Sequence, residues 1–308
     1  MAEQDQPQGI LVVDKPEGFT SHDVVARVRR ILKTKRVGHT GTLDPFATGV
    51  LVLLVGKATR LAQFVDKDEK EYEAIVRFGS ETNTGDRTGS RTTEAGLADE
   101  QISERLAAVD WDGILNNFRG EIEQVPPMYS AKKVEGKKLY ELARAGKEVE
   151  RKPIAVTIKE LKVLEKREFR TPHSAIHIRI VCSAGTYIRT LAEDVGRYIG
   201  IGANLGELRR TRAGKFDLEQ SVTLDVIESA NNAAGYLKPI EEAVAHLPKF
   251  TLSAERVEKT LNGLPTSSNS HEFSDSEYVQ MVDGNDRLIA VGVFQEQYSQ
   301  VKPAIVIA

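Results

Sequence analysis

The chain has 308 residues, of which 40% are hydrophobic and 28% charged, and its formal net charge is −3. This composition predicts a globular protein with a sizeable core, and it excludes a generally basic nucleic-acid-binding protein, so any nucleic-acid contact requires a local patch. The single cysteine, Cys182, excludes an intramolecular disulfide and a cysteine metal cluster, and the six histidines lack metal-ligand spacing, so we assign no metal.

The N-terminal segment from Met1 to Gln8 is polar and acidic. It has no apolar centre of the kind that a signal peptide requires. The longest apolar run, Val50 to Val55, is too short to span a bilayer. We therefore expect a cytoplasmic protein.

The first elements are a strand and a basic helix. Ile10 to Val13 predicts a short buried strand. Thr20 provides an N-cap for the helix that follows, and Asp23 three residues later approximates a capping box. The segment from Arg27 to Arg36 carries six basic residues and no acid. These residues either contact phosphate groups or form an ordinary solvated face, and the sequence leaves both interpretations open.

A glycine-rich loop follows, from Gly38 to Gly49, and it contains His39 and one carboxylate, Asp44. Glycine lets the backbone come close to a ligand. Because Asp44 precedes Pro45, its backbone favours extended geometry. A carboxylate at the edge of a buried strand is well placed to act on a ligand, whereas capping of a turn is the alternative interpretation.

The rest of the chain alternates strands, helices and basic segments. Strands are predicted at Tyr72 to Phe78, Ile154 to Val163 and Ala175 to Cys182. Helices are predicted at Asp99 to Phe118, from about Thr190, and at Pro239 to Val244. Basic segments are predicted at Lys132 to Lys152 and in a loop at Arg209 to Lys215.

Two domains are expected from the distribution of charge. From Thr251 onward there are eight acidic and four basic residues, a charge of −4, which leaves +1 for residues 1–250. We predict a domain at 1–248 and a small β-rich domain at 249–308. Since strands and helices alternate without a sustained βαβ rhythm, the first domain is expected to be α+β with a mixed sheet.

The sequence lacks the motifs of two common enzyme classes. Gly49 and Gly56 are separated by six residues where a phosphate-binding loop needs four, and Ala58 stands where that loop needs a hydroxyl. A serine hydrolase is also disfavoured, because the chain has no Gly-x-Ser-x-Gly motif.

Several motifs in order resemble the bacterial tRNA pseudouridine-55 synthase family (TruB). The resemblance extends from about Ile10 to Phe216. It rests on Asp14-Lys15-Pro16, Gly18-Phe19-Thr20-Ser21-His22-Asp23, Gly38-His39-Thr40-Gly41-Thr42-Leu43-Asp44-Pro45, Lys70-Glu71-Tyr72, Gln124-Val125-Pro126-Pro127-Met128-Tyr129-Ser130-Ala131-Lys132 and Gly185-Thr186-Tyr187-Ile188-Arg189-Thr190-Leu191.

The resemblance implies a uridine isomerase that needs no cofactor and no metal. It implies that Asp44 is the nucleophile, with attack on C1′ of the sugar or C6 of the base left open. Burial alone would neutralise this carboxylate, so a nearby cation is required, and the resemblance assigns that role to Arg189. Tyr72 is implied to stack on the flipped uracil and to help remove the C5 proton.

The resemblance also implies how RNA is held. His39 is expected to fill the space that the flipped base leaves, and Tyr187 and Lys15 to contact the substrate. The expected partner is the T-stem-loop of tRNA, bound by a monomer. The three basic segments are expected to contact the RNA backbone, and the C-terminal domain is expected to be PUA-like.

Two other functions stay open. One is a non-catalytic RNA-binding or RNA-folding protein on the same scaffold. The other is an enzyme that depends on a guide RNA. The combination of Asp44, Tyr72 and Arg189 argues against the first, because binding alone does not need a carboxylate in a cationic site.

Overall fold

The structure is a computed structural model, and it describes residues 6–65, 69–130, 132–134, 136–168, 174–268 and 273–307. Residues 1–5 of the polar N-terminal segment lie outside these ranges. Among the described residues, no helix combines the length and the apolar character that crossing a membrane requires.

The strands of the described residues are as follows: β1 (Gly9–Lys15), β2 (Val37–Thr40), β3 (Thr48–Val55), β4 (Lys70–Phe78), β5 (Ser80–Thr82), β6 (Arg91–Glu94), β7 (Gly120–Gln124), β8 (Lys133–Val134), β9 (Lys137–Lys138), β10 (Ile154–Glu168), β11 (Ser174–Cys182), β12 (Ala203–Ala213), β13 (Phe216–Asp217), β14 (Lys249–Thr251), β15 (Thr266–Ser267), β16 (Tyr278–Val282), β17 (Leu288–Gln295) and β18 (Gln300–Val306). The α-helices are α1 (Ser21–Ile31), α2 (Ala62–Val65), α3 (Asp99–Ala107), α4 (Trp111–Asn116), α5 (Leu139–Arg144), α6 (Ile188–Ile199), α7 (Leu224–Ser229) and α8 (Ala254–Leu261). Short 3-10 helices span Gly56–Leu61, Ala233–Tyr236, Ile240–Val244 and Glu296–Tyr298.

One large sheet forms the centre of the molecule. Its strand order is β1-β3-β12-β4-β11-β10-β7, with β2 also paired to β3 and β13 to β12. The β12–β3 pair is parallel, while β12 and β4 are antiparallel, as are β1 and β3. This mixed sheet, with helices such as α1 and α6 against it, confirms the predicted α+β class.

Strand β3 has both of its faces covered. Its odd-numbered residues from 51 to 55 join a core that contains residues of α1 and α6. Its even-numbered residues from 50 to 54 join a second core, which includes residues of the C-terminal strands β16 to β18 and the adjoining Ile307. A strand that is covered on both faces has an almost unbroken apolar sequence, as Val50 to Val55 does. The loop that precedes β3 is therefore attached to a rigid strand.

Helix α1 begins as the sequence predicts. The side chain of Thr20 accepts a hydrogen bond from the backbone of Asp23 at 3.0 Å, and the Asp23 carboxylate accepts one from the backbone of Thr20 at 2.8 Å. This reciprocal pair is a capping box. On the basic side, Arg27 pairs with Glu228 of α7. The predicted row of six cations is therefore partly neutralised.

The other predicted elements are mostly present. The three predicted strands correspond to β4, β10 and β11, and the short helix near residue 240 is a 3-10 helix. The stretch predicted as one helix from residue 99 to 118 is divided into α3 and α4, and α6 begins at residue 188 rather than near 190.

The prediction of a basic loop between Arg209 and Lys215 is wrong for most of this segment. Arg209 to Arg212 belong to β12, an interior strand of the large sheet. Arg210 is only 1% exposed, and Arg209 pairs with Asp14 at 2.8 Å. These arginines therefore serve the fold rather than an exposed RNA-binding loop.

The C-terminal strands form a second sheet, in the order β14-β16-β17-β18-β15. It has a core of its own, which includes Leu252, Met281 and Phe294. This confirms the expected β-rich C-terminal module. The exact division at 248/249 stays a prediction.

Candidate active site

Segments that are distant in sequence meet at one cavity of about 400 Å³. The loop between β2 and β3 contributes Asp44, β4 contributes Tyr72, and the start of α6 contributes Tyr187 and Arg189. His39 of β2 also lines this cavity. The structure thus brings together all but one of the side chains that the sequence predicts for the site.

The loop that carries Asp44 is held by its neighbours. The backbone N–H of Leu43 donates to the hydroxyl of Ser21 at 2.9 Å, and this hydroxyl lies 3.2 Å from the carbonyl of Leu43. Gly41 has a φ of +72°, and a Cβ there would lie 3.2 Å from a guanidinium nitrogen of Arg210. The left-handed φ favours glycine here, and the absence of a Cβ leaves room for Arg210. The backbone around Asp44 is therefore fixed by other elements of the fold.

Asp44 forms a two-point ion pair with Arg189. Nε of Arg189 lies 2.9 Å from Oδ2, and Nη2 lies 3.1 Å from Oδ1. The guanidinium also donates to the carbonyls of Thr84 at 2.8 Å and Tyr129 at 2.7 Å. Arg189 is 6% exposed, whereas Asp44 keeps 30% of its side-chain surface exposed and lines the cavity. A guanidinium bonded on all sides orients the carboxylate that it holds.

Another carboxylate, that of the buried residue Asp86, lies near the same guanidinium. Its Oδ2 is 3.8 Å from Nη1 of Arg189. Its Oδ1 accepts hydrogen bonds from the backbone of Thr88 at 2.9 Å and the hydroxyl of Thr84 at 3.0 Å. No sequence pattern marks Asp86 as a site residue, because it lies in a polar turn that only the fold brings to the site.

The charges around Asp44 act in opposite directions on its pKa. Burial raises the pKa of the Asp44 carboxyl above its usual range, Arg189 lowers it, and Asp86 raises it. A buried carboxylate is disfavoured as an anion unless a cation offsets the lost hydration. Among the neighbouring charges, Arg189 makes the largest contribution that favours the ionised form of Asp44.

Tyr72 is buried beside a second arginine. Burial raises the pKa of the Tyr72 phenol, and Arg210 acts against that rise. Arg210 donates from Nε to the carbonyl of Val50 at 2.7 Å and from Nη2 to that of Gly41 at 3.0 Å. It therefore ties β3 to the loop before Asp44, a role that its basic sequence context did not predict.

Tyr187 is positioned through its backbone. The side-chain amide of Gln124 accepts from the N–H of Tyr187 at 2.9 Å and donates to its carbonyl at 3.3 Å. Burial raises the pKa of the Tyr187 phenol. His39 makes an edge-to-face contact with the ring of His22, with 5.3 Å between centroids. Both predicted residues thus have fixed neighbours at the cavity.

Lys15 lies outside the cavity lining. Its ammonium group donates to the carbonyls of Pro16 at 2.9 Å, Phe19 at 2.7 Å and Pro45 at 3.3 Å. These three acceptors use all three of its protons. Burial lowers its pKa to about 8. Such contacts position the loop next to Asp44, and the predicted contact of Lys15 with substrate stays a prediction.

The arrangement places a carboxylate, an adjacent cation and two phenols at one cavity. Covalent catalysis by a carboxylate needs an ionised group with access to the substrate. Asp44 lines the cavity, and Arg189 opposes the rise in its pKa that burial causes. In the described part of the chain, no group of three or more His, Cys, Asp or Glu side chains could hold a metal ion.

Comparison with known proteins identifies the family. Residues 29–188 match the N-terminal domain of TruB family pseudouridylate synthases, and residues 189–245 match the C-terminal domain of tRNA pseudouridylate synthase B. A tRNA pseudouridine synthase B from Geobacillus thermodenitrificans is 46% identical over 259 residues, covering 83% of this chain and 84% of the relative. The protein of that name from Solibacter usitatus is 43% identical, covering 92% and 94%.

Solved structures share the fold of this chain. An H/ACA ribonucleoprotein bound to a substrate RNA containing 2′-deoxyuridine includes a chain with a TM-score of 0.70 and 25% identity, covering 99% of this chain and 87% of that one. A Cbf5-Nop10-Gar1 complex gives a TM-score of 0.68 at 26% identity, covering 99% and 85%. The fold and the matched domains define an isomerase of the pseudouridylate synthase class. Within that class, the chain belongs to the TruB family.

Proposed function

We propose that this enzyme converts a uridine in the T loop of tRNA, at position 55, to pseudouridine, with Asp44 as the nucleophile. The observation that carries the proposal is the two-point ion pair between Asp44 and Arg189 at a cavity that Tyr72 also lines. The names of the relatives support tRNA as the substrate, since they are tRNA pseudouridine synthases B.

The chemistry uses groups that the cavity holds. The N1–C1′ bond of the uridine breaks, the uracil turns, and a new bond joins C5 to C1′. The C5 proton is lost to solvent, and N1 takes up a proton, so the composition of the nucleoside is unchanged. Asp44 attacks either C1′ or C6 and is released at the end, so the reaction is an isomerisation. Arg189 stabilises the ionised form of Asp44 before the attack and again when the carboxylate is released.

The base reaches this cavity by leaving the RNA stack. Unstacking costs a few kcal/mol, which pocket contacts offset. The buried ring of Tyr72 is suited to stack on the uracil, and the half-buried His39 is suited to fill the vacated space in the RNA. Tyr187, half-buried in the cavity wall, completes the proposed contacts.

The remaining alternatives have less support. A protein that only binds or folds RNA does not need Asp44 and Arg189 as a paired nucleophile and cation. The relatives with 43–46% identity are tRNA pseudouridine synthases B, which favours the form without a guide RNA. We further propose that the enzyme acts as a monomer in the cytoplasm, with domains at 1–248 and 249–308.

Tritium release from tRNA tests the substrate. Unmodified tRNA carrying [5-³H]uridine loses tritium when pseudouridine forms, because the C5 hydrogen is displaced. We expect release equal to one uridine per tRNA, and none from a tRNA in which uridine 55 is replaced by cytidine. Equal release from both tRNAs contradicts the assigned position. No release from either, with the folded enzyme still binding tRNA, contradicts the proposed activity.

A further inference from the structure

A second cavity, of about 410 Å³, lies at the other end of β2 and is strongly basic. Four cations line it, together with Gln6 to Gln8, Thr34 and Gly56, and the lining contains no acid. These cations, named here the α1–β3 basic pocket, are Lys33, Lys35, Arg36 and Lys57. Arg36 and His39 are three residues apart, which is about 10 Å along a strand. The pocket is therefore distinct from the cavity that holds Asp44.

Two segments of the chain are joined to form this pocket. Helix α1 ends at residue 31, and Lys33 then adopts a left-handed backbone with a φ of 50°, a conformation usually left to glycine. At the end of β3, the backbone N–H of Gly56 donates to the carbonyl of Arg36 at 2.8 Å. Gly56 has a φ of +62°, and the chain turns there into the 3-10 helix that carries Lys57. The fold thus brings Lys57 beside Arg36.

The charges in the pocket take no part in the ion pairs that connect elements of the fold. In the described part of the chain, none of its four cations forms an ion pair, unlike Arg27, Arg189 and Arg209. The C-terminal end of α1 accounts for cations next to it through the helix dipole. It does not account for Lys57, which stands in the first turn of another helix. Gathering four like charges at one cavity costs repulsion, and a bound anion relieves it.

We propose that the α1–β3 basic pocket binds phosphate groups of the tRNA backbone, a few nucleotides from the uridine that enters the Asp44 cavity. This inference rests on the proposed function, because it takes tRNA as the ligand. Lys33, Lys35 and Arg36 are exposed and Lys57 is partly so, so they reach a phosphate without a large desolvation cost. Contacts of this kind give affinity and fix the register of the RNA, without reading its sequence.

Binding measured against salt concentration tests the proposal. The pocket variant carries Lys35→Gln, Arg36→Gln and Lys57→Gln in the full-length chain. The control variant removes the same charge at exposed positions elsewhere, with Arg105→Gln, Lys162→Gln and Lys302→Gln. Each lost phosphate contact reduces the slope of log K against log salt by about 0.7 to 0.9. We expect the pocket variant to lose about two in slope and at least about tenfold in affinity at ~0.1 M salt.

Kinetics and chemical interference complete the test. In tritium release, we expect the pocket variant to show a raised KM and an unchanged rate at saturation, because the pocket does not touch the reacting base. Ethylation of single phosphates in tRNA identifies those that the wild type needs. We expect a subset to lose its effect in the pocket variant and to keep it in the control variant.

Three results overturn the proposal: equal slopes and affinities for the two variants, the same ethylation pattern in both, or a loss of rate at saturation with KM unchanged. A pocket that binds free phosphate but no RNA would also give the same ethylation pattern in both variants. Failure of the proposed function is seen separately, as absence of tritium release by the wild type. A pocket-dependent salt slope in that case still supports binding of the RNA backbone.

Discussion

Removal of the Arg189 guanidinium is the sharpest perturbation of the site. In Arg189→Met, a side chain of similar length replaces the cation, and Asp44 keeps its place in the loop that β3 anchors. The carboxylate then loses both contacts to Arg189, at 2.9 and 3.1 Å, while Asp86 remains nearby. The pKa of Asp44, which burial already raises, rises further in this variant.

The size of the effect follows from the contacts that are lost. Removing one partner of a buried ion pair costs about 3–5 kcal/mol. At about 1.4 kcal/mol for each factor of ten, this corresponds to a rate loss of about 10²- to 10⁴-fold. Arg189→Lys keeps the charge but contacts only one carboxylate oxygen. The loss of one charged hydrogen bond, about 1.5–3 kcal/mol, predicts a loss of about 10- to 100-fold.

Single-turnover tritium release across a range of pH measures the effect. Activity requires ionised Asp44, so it falls as the pH drops through the pKa of that group. We expect the acid limb of Arg189→Met to move to higher pH. Asp86→Asn removes the neighbouring negative charge that raises the same pKa, so we expect its acid limb to move to lower pH. The two variants thus shift the profile in opposite directions, which general damage to the fold does not explain.

Thermal unfolding and tRNA binding serve as controls for both variants. If folded Arg189→Met, with tRNA bound, has a rate within threefold of the wild type and the same pH profile, the assigned role of Arg189 is refuted. Shifts of both acid limbs in the same direction refute the electrostatic part of the reasoning.

Three further predictions concern catalysis, backbone and stability. Tyr72→Phe keeps the ring, so we expect tRNA affinity within about twofold and a single-turnover rate lowered by at least about 10²-fold, as for loss of a proton-transfer group; an unchanged tritium-release rate contradicts this. Gly49→Ala places a Cβ 2.2 Å from the carbonyl oxygen of Arg210 at a φ of +99°, whereas Gly263→Ala meets open space at +79°. Urea unfolding is expected to show a loss of about 1–2 kcal/mol from left-handed strain at Gly263 and a clearly larger one at Gly49, and equal losses would contradict the clash. Burial raises the pKa of Glu193 from 4.5 to about 7, so the folded protein disfavours its ionised form. The folded state therefore has its full stability below about pH 4.5 and loses part of it as the pH rises through 7. In Glu193→Gln, we expect this pH-dependent decrease in the free energy of unfolding, up to about 3 kcal/mol, to be absent. Urea midpoints that change in parallel for the two proteins from pH 5 to 8 would contradict this prediction.

The parts of the fold that the sequence predicts depend on local patterns. The capping box of Thr20 and Asp23 involves neighbours three residues apart, and the alternating isoleucines at 176, 178 and 180 mark the buried face of β11. Local patterns of this kind are visible in one sequence. They predicted α1 and the strands β4, β10 and β11 of the large sheet.

The misassigned segment depends on partners that are distant in the chain. Arg209 and Arg212 pair with Asp14 and Glu69, which are 195 and 143 residues away. A run of arginines looks like an exposed basic loop until those acids are in place. Asp86 is a similar case, since a polar turn gave no sign that its carboxylate lies 3.8 Å from Arg189. Pairings over such separations are set by the sheet order, which local patterns do not specify.

The central claim is that Asp44 performs the isomerisation, and Asp44→Asn tests it directly. The amide has almost the same shape and cannot act as a carboxylate nucleophile. With [5-³H]uridine tRNA at saturation, we predict tritium release by the wild type and none by the variant, while both bind tRNA with similar affinity. Release by Asp44→Asn at a rate close to that of the wild type would contradict the claim and require a different nucleophile.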